Sequence, residues 1–284
     1  NHPTLALPDP LLAVTGGEVR AEPEAPTGLS LRGGASDQTS FLLDGVPLLN
    51  PYHAAGLFGA WNADATGAVV VAGAAPSFAL PDALSGTVSA LTRTPAPRFR
   101  IQAALSTAEA RATADGPTGV AGASFLLSGR TGLSAGLGPG DEASYLDAET
   151  ADLLGRLMVP VLGGELGLLV YDAENEIGAA SGVPEDSAAG TAAPNAFSWS
   201  SRSAGASWTR AVPGSWNLRI VGWRAGTDAG SFWRPEGVET SLASRRRDLG
   251  GEGSAPGTLR CLACNRLGQP EAGRRPEPGD QACI

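Results

Sequence analysis

From Phe99 to Arg224 the chain keeps a two-residue rhythm. Phe99, Ile101, Ala103 and Leu105 alternate with Arg100, Gln102, Ala104 and Ser106. Ala121, Ala123, Phe125 and Leu127 alternate with Gly122, Ser124, Leu126 and Ser128, and the run ends at Arg130. Leu153, Gly155, Leu157 and Val159 alternate with Leu154, Arg156 and Met158. Leu166, Leu168 and Val170 lead into Tyr171-Asp172, and Trp216, Leu218 and Ile220 alternate with Asn217, Arg219 and Val221. Successive side chains of a strand point to opposite faces. The pattern therefore predicts strands with one apolar face and one face of small, polar or arginine side chains.

The connections carry a second signal. Val161–Gly164 and Val212–Ser215 read as tight turns, whereas residues 131–150 and 175–197 read as long loops. Tight turns alternating with long loops, between strands of roughly ten residues, is the pattern of an outer-membrane barrel. A soluble sandwich also alternates its faces but has no reason to alternate loop length. Trp199, Trp208, Trp216, Trp223 and Trp233 recur every 7 to 10 residues. The first four are expected at the membrane interface, where an apolar ring and a polar N–H each find a partner. Ordinary strand packing is the alternative for any one of them.

Composition narrows the classes. The 284 residues are 42% hydrophobic and only 17% charged, with 39 glycines. Such a chain is too apolar for disorder and too poor in helix formers for a bundle. No stretch approaches the roughly 18 apolar residues of a membrane helix, so contact with a bilayer would have to be made by a closed barrel. The net charge of −9 argues against nucleic acid and against anionic membrane surfaces, while the use of arginine for all 20 basic residues reads as a GC-rich coding bias. A Walker-type phosphate loop is excluded without lysine.

Ahead of the alternating region, residues 7–94 mix short apolar runs with Gly, Pro and Asn. Strands are expected at Leu29–Arg32, Ser40–Leu43, Val46–Leu48, Ala68–Ala72 and Gly86–Arg93, with short helical turns at 54–60 and 62–66. Asp44-Gly45 lies between Phe41-Leu42-Leu43 and Val46-Pro47-Leu48-Leu49, a strong signal for a type I′ hairpin. Arg32-Gly33-Gly34 precedes it. The whole arrangement resembles the plug domain of TonB-dependent outer-membrane receptors. The resemblance is carried by Arg32-Gly33-Gly34, by Leu43-Asp44-Gly45-Val46-Pro47, by Asn50, Pro51 and His53, and by Gly56-Leu57-Phe58. Gly73-Ala74-Ala75-Pro76 and Ala83-Leu84-Ser85-Gly86 resemble the plug's exit toward the barrel, although Phe78–Asp82 departs from the family's Tyr-Gly-Gly.

The resemblance implies an α+β plug over 1–94, followed at 95–234 by an antiparallel β-sheet of roughly six or seven strands. That sheet would be part of a transmembrane β-barrel of about 22 strands. It implies structural roles in seating the plug for Arg32, Gly33, Gly34, Leu43, Asp44, Gly45, Asn50, Pro51, His53, Gly73 and Pro76. The family's partners are the TonB complex, outer-membrane lipid and a small-molecule or glycan ligand. No segment of Asn1–Thr27 looks like the one that engages TonB, and an exported protein would carry a leader ahead of Asn1.

Beyond Ser241 the alternation dies, and 235–284 reads as an irregular C-terminal tail, either a disordered tail or long loop or a translated frameshift. All three cysteines, Cys261, Cys264 and Cys283, lie there, one ligand short of a zinc site. Gly132-Leu133-Ser134-Ala135-Gly136 matches a nucleophile elbow, but both histidines, His2 and His53, precede it, contrary to the hydrolase order. Asp141, Glu142, Asp147 and Glu149, and likewise Asp172, Glu174 and Glu176, are read as solvated loop acids without calcium-loop spacing. No enzyme, metal or cofactor is expected. The expected function is energy-coupled uptake of a scarce ligand such as a siderophore, cobalamin or glycan, in a chain that does not transport alone. The competing expectation is a soluble periplasmic or surface β-sheet binding module, in which the face of Phe125 and Leu127 is buried.

Overall fold

The computed structural model describes residues 19–22, 25–31, 38–53, 58–73, 83–106, 109–132, 146–179, 196–212, 216–233 and 240–254. Its N-terminal part contains β1 (Val19–Glu22), β2 (Ala25–Leu31), β3 (Thr39–Leu43), β4 (Val46–Leu48), β5 (Tyr52–His53), β6 (Phe58–Gly59), β7 (Thr66–Gly73) and β8 (Gly86–Thr92). A long antiparallel meander follows: β9 (Arg100–Leu105), β10 (Glu109–Pro117), β11 (Ser124–Gly132), β12 (Leu146–Val161), β13 (Gly164–Ala179), β14 (Ala196–Val212), β15 (Trp216–Trp233) and β16 (Thr240–Ser254).

The hairpin at Asp44-Gly45 forms as its residues require. Both central residues take positive φ, 51° and 85°, which turns β3 directly into β4. β3 then pairs in parallel with β8, and β8 in antiparallel with β7, giving the sheet order β4-β3-β8-β7. β5 and β6 make a separate two-residue ladder.

The eight strands of the meander pair only with their sequence neighbours, in the order β9 to β16. The inward face of this sheet meets the N-terminal unit, with β4 against β14 and β15. One apolar cluster crosses the boundary: Leu31, Phe41, Leu43, Val46 and Leu48 on one side, Leu126, Leu154, Leu169, Val221 and Trp223 on the other. The opposite face is apolar in rows. Leu157 stands across from Leu168 and Leu168 from Ala206, and Leu166 from Trp208 and Trp208 from Ile220. Leu127, Leu153, Leu168, Val170 and Ile220 are all exposed, and no second sheet covers them among the described residues. Toward the long-loop end the same face turns charged, with Asp172 opposite Arg202 and Asp228 opposite Arg245.

Several expectations are corrected. No helix occurs among the described residues. Around 62–66 the Asn62 carbonyl takes the Ala65 and Thr66 amides, and its side chain takes the Asp64 amide, so one turn forms and β7 begins at once. Phe58–Gly59 is extended against Tyr52–His53. Residues 54–57 lie outside the described residues.

Thr240–Ser254 is a strand, not an irregular tail. Its pairing to β15 runs unbroken from Trp233 opposite Thr240 to Arg219 opposite Ser254. Backbone pairing with a formed neighbour holds it, and Asp228 pairs with Arg245 and Arg247, so it needs no apolar alternation. The cysteines lie outside the described residues.

Two of the four interface tryptophans face inward: Trp199 is 3% exposed and Trp223 6%. They share the parity of Val221 and Ala225, which point at the N-terminal unit. Trp208 does stand on the outward face, its Nε1 donating to the Val161 carbonyl beside the tight turn at Leu162-Gly163. The side chain of Trp216 lies outside the described residues. The strands also run past their expected ends, so Glu149, Asp172, Glu174 and Glu176 sit on β12 and β13 and not in loops.

Substituting Gly45 tests the hairpin. A Cβ at this position would lie 2.6 Å from Nη2 of Arg219 on a backbone of positive φ. Gly45→Ala should cost about 1–2 kcal/mol and lower the midpoint of thermal unfolding in detergent by a few degrees, measured by circular dichroism.

Candidate functional site

Three polar contacts fasten the N-terminal unit to the sheet. The first begins at the hairpin. The Asp44 carboxylate accepts from the Thr92 amide at 2.9 Å and from the Thr92 hydroxyl at 2.7 Å, and pairs with Arg156 Nε at 3.3 Å. Arg156 also donates to the Thr92 hydroxyl. The Asp44 carbonyl, turned out by the tight bend, accepts from Arg219 Nη2 at 2.6 Å. A second backbone carbonyl, that of Pro47, accepts from the Ser203 hydroxyl at 2.7 Å.

The second contact is a line of alternating charges. Arg111 joins Asp64 at 2.7 Å to Glu109 at 2.8 Å. Arg130 stands 3.7 Å from Glu109, 2.7 Å from Asp152, and donates to the Gly59 carbonyl at 2.7 Å. Asp152 then meets His53 Nε2 at 3.0 Å, and His53 Nδ1 meets Asn175 Oδ1 at 2.6 Å. His53 and Asp152 are both 2% exposed at the side chain, so each polar group depends on its neighbours in this line for hydrogen-bond partners. Tyr52 lies beside His53, and its carbonyl accepts from Trp199 Nε1 at 3.2 Å. The buried Trp199 is thus a fastening, its indole proton satisfied by the N-terminal unit.

The third contact ties the exit from β8 to the start of β9. Asp115, fully buried, takes Arg93 Nη2 at 2.8 Å, Arg100 Nε at 3.1 Å and the Ala96 amide at 2.6 Å.

Of the residues singled out from the sequence, Asp44 takes part in the first contact and His53 in the second, Gly45 completes the turn that exposes the Asp44 carbonyl, and Leu43 joins the apolar cluster. Asn50 closes a local turn onto the Tyr52 amide at 3.3 Å, and the Pro51 carbonyl accepts from the Ala60 amide at 2.7 Å. Gly73 ends β7 opposite Gly86. Arg32, Gly33, Gly34, Pro76 and Ser134 lie outside the described residues. The wall partners Glu109, Arg130, Asp152, Arg156, Asn175 and Arg219 were not picked out. Their one signal is that charged or amide side chains recur on the non-apolar face of the alternation. Among the described residues no group of three or more His, Cys, Asp and Glu stands where it could hold a metal ion.

No protein-family model matches the chain, and no curated protein matches it by sequence. Solved structures do match by fold. The siderophore receptor PirA from Acinetobacter baumannii superposes with a TM-score of 0.55 at 15% identity, over 84% of this chain and 41% of the receptor. The ferric citrate transporter FecA, unliganded, gives 0.54 at 17% identity, over 88% of this chain and 44% of its own. A mutant of the ferric enterobactin receptor PfeA from Pseudomonas aeruginosa gives 0.57 at 13%, over 90% and 45%. The described strands thus share the fold of the TonB-dependent receptors, although no helix among the described residues gives the N-terminal unit the expected α+β character; the three proteins compared are receptors and a transporter. The chain spans less than half the length of each of these three.

The charge line makes a sharp prediction. Asp152→Ala strands Arg130 and removes a partner of His53, and should destabilise by about 3–5 kcal/mol in guanidinium unfolding. Amide exchange should quicken at Tyr52–Gly59 while the β13–β14 ladder stays protected. Tyr171→Phe removes only a 3.4 Å contact and should change little.

Proposed function

We propose that the chain is the plug and adjoining wall of an outer-membrane receptor that takes up a scarce ligand by energy coupling. The carrying observation is the division of the sheet into two faces. One is apolar and exposed in rows; the other is covered by the N-terminal unit, which shares its apolar cluster and is fixed through buried polar contacts. A filled sheet with a greasy exterior suits a plugged barrel in lipid and suits no soluble sandwich. In this reading 1–94 is the plug, the wall starts near 95, and the outer membrane of a Gram-negative-type bacterium is the location. Asp44, His53 and their companions seat the plug, and Trp208 marks the interface at the tight-turn rim.

The ligand is of the siderophore, cobalamin or glycan kind. Two of the structural neighbours are named for ferric enterobactin and ferric citrate, which supports the first of these. The coupling partner is the TonB complex. An eight-stranded wall leaves β9 and β16 each with one unpaired edge among the described residues, which supports the reading that this chain alone does not transport.

Lipid quenching tests the proposal. A variant keeping Trp208 as its single tryptophan should lose most of its emission in vesicles of brominated phosphatidylcholine, and a variant keeping Trp199 should lose little. Cells lacking their own receptors and expressing this chain should take up neither ferric citrate nor ferric enterobactin. A monodisperse, detergent-free monomer with unquenched Trp208 would overturn the membrane reading.

A further inference from the structure

On the outward face the register gathers three arginines on neighbouring strands. Arg224 of β15 stands opposite Ala204 of β14 and Leu249 of β16. Arg202 and Arg247 both stand opposite Gly226, two residues nearer the long-loop end. Each is therefore a diagonal neighbour of Arg224, at a separation of about 7–8 Å. Gly226 lets the group close up. A Cβ there would lie 2.8 Å from Arg247 Cδ, so the bare backbone allows Arg247 to lie across β15.

The acids sit on one side of this group. Arg202 pairs with Asp172 and Glu174 at 3.0 Å each, and Arg247 with Asp228 at 2.6 Å. Arg224 is exposed, and no carboxylate pairs with it among the described residues. On its other side the outward surface turns apolar at Ala204, Val170, Leu168 and Ile220. An unpaired guanidinium thus stands at the loop-side rim of the apolar rows. Arginine on a lipid-facing strand is costly at mid-depth and nearly free at the interface, where it meets headgroups. Its planar fork matches phosphate oxygens two at a time.

We propose that Arg224, flanked by Arg202 and Arg247, holds the phosphate of a lipid headgroup, with the acyl chains lying along Ala204, Val170 and Leu168. The inference rests on the membrane reading above. A net charge of −9 disfavours general attraction to anionic surfaces, and with Arg202 and Arg247 already paired the contact is a local one to the unpaired Arg224. A lipid is favoured over free phosphate because the apolar rows begin directly beside the unpaired cation.

The test compares dioctanoyl phosphatidic acid, dioctanoyl phosphatidylcholine and inorganic phosphate, each added to the full chain in a non-ionic detergent. Phosphatidic acid should raise the unfolding midpoint by about 3 °C, the size expected for a ligand in tenfold excess over its Kd. Phosphatidylcholine and inorganic phosphate should raise it by less than a third of that. Arg224→Ala should abolish the rise. Arg224→Lys, which keeps the charge and a folded wall, should lose most of it, because an ammonium is a point charge without the guanidinium's planar pair of parallel donors. An equal rise with inorganic phosphate, or a full rise in either variant, overturns the proposal. Trp208 quenching in the parent protein separates the two readings. If quenching persists without any preference for phosphatidic acid, the headgroup site alone falls. If quenching is absent in the parent protein, the membrane reading falls first.

Discussion

The inward side chains of β11 to β15 include Leu126, Leu154, Leu169, Val221 and Trp223 beside Arg130, Asp152, Arg156 and Arg219. Neither hydrocarbon nor water suits such a mixture. It needs a partner that is apolar in the same places and oppositely charged in the others, and the N-terminal unit is that partner. Every other feature follows from this contact. It decides which face of the sheet looks outward, it buries the hairpin, and it lets carboxylates such as Asp115 and Asp152 sit without water.

The polar part of the contact contributes more to fit than to net stability. Buried ion pairs roughly offset their own desolvation, whereas a mispaired one is heavily penalised. A unit seated through Asp44, His53 and Asp115 has three places where a shifted register would strand a charge. Apolar packing alone would tolerate sliding; these contacts do not. The seat is thus specific and divided into three separate polar contacts.

Much of the fold was legible because strand periodicity is local. The alternation around Phe125, Leu157 and Leu168 marked both the strands and the outward face, and Asp44-Gly45 marked its turn because few other pairs accept two positive φ angles. The site was legible on one side only. Motif residues such as Asp44 and His53 could be named, but their partners lie 118 residues or more away in the cases of Tyr171 and Asn175. No local pattern encodes such a pairing. β16 was missed for a related reason: Thr240–Ser254 has no pattern of its own and is a strand through its neighbour. The tryptophans were misjudged because their spacing was weighed and their parity was not, and parity alone turns Trp199 and Trp223 inward.

What residue order settled is what lies within a few positions of the chain: the alternating strands, the tight turns and the two characters of the sheet's faces. What only the assembled structure decided is which buried charge answers which, and which face is covered. Those depend on groups far apart in sequence meeting in a medium of low polarity, where the energy of a charge is set by its neighbours in space.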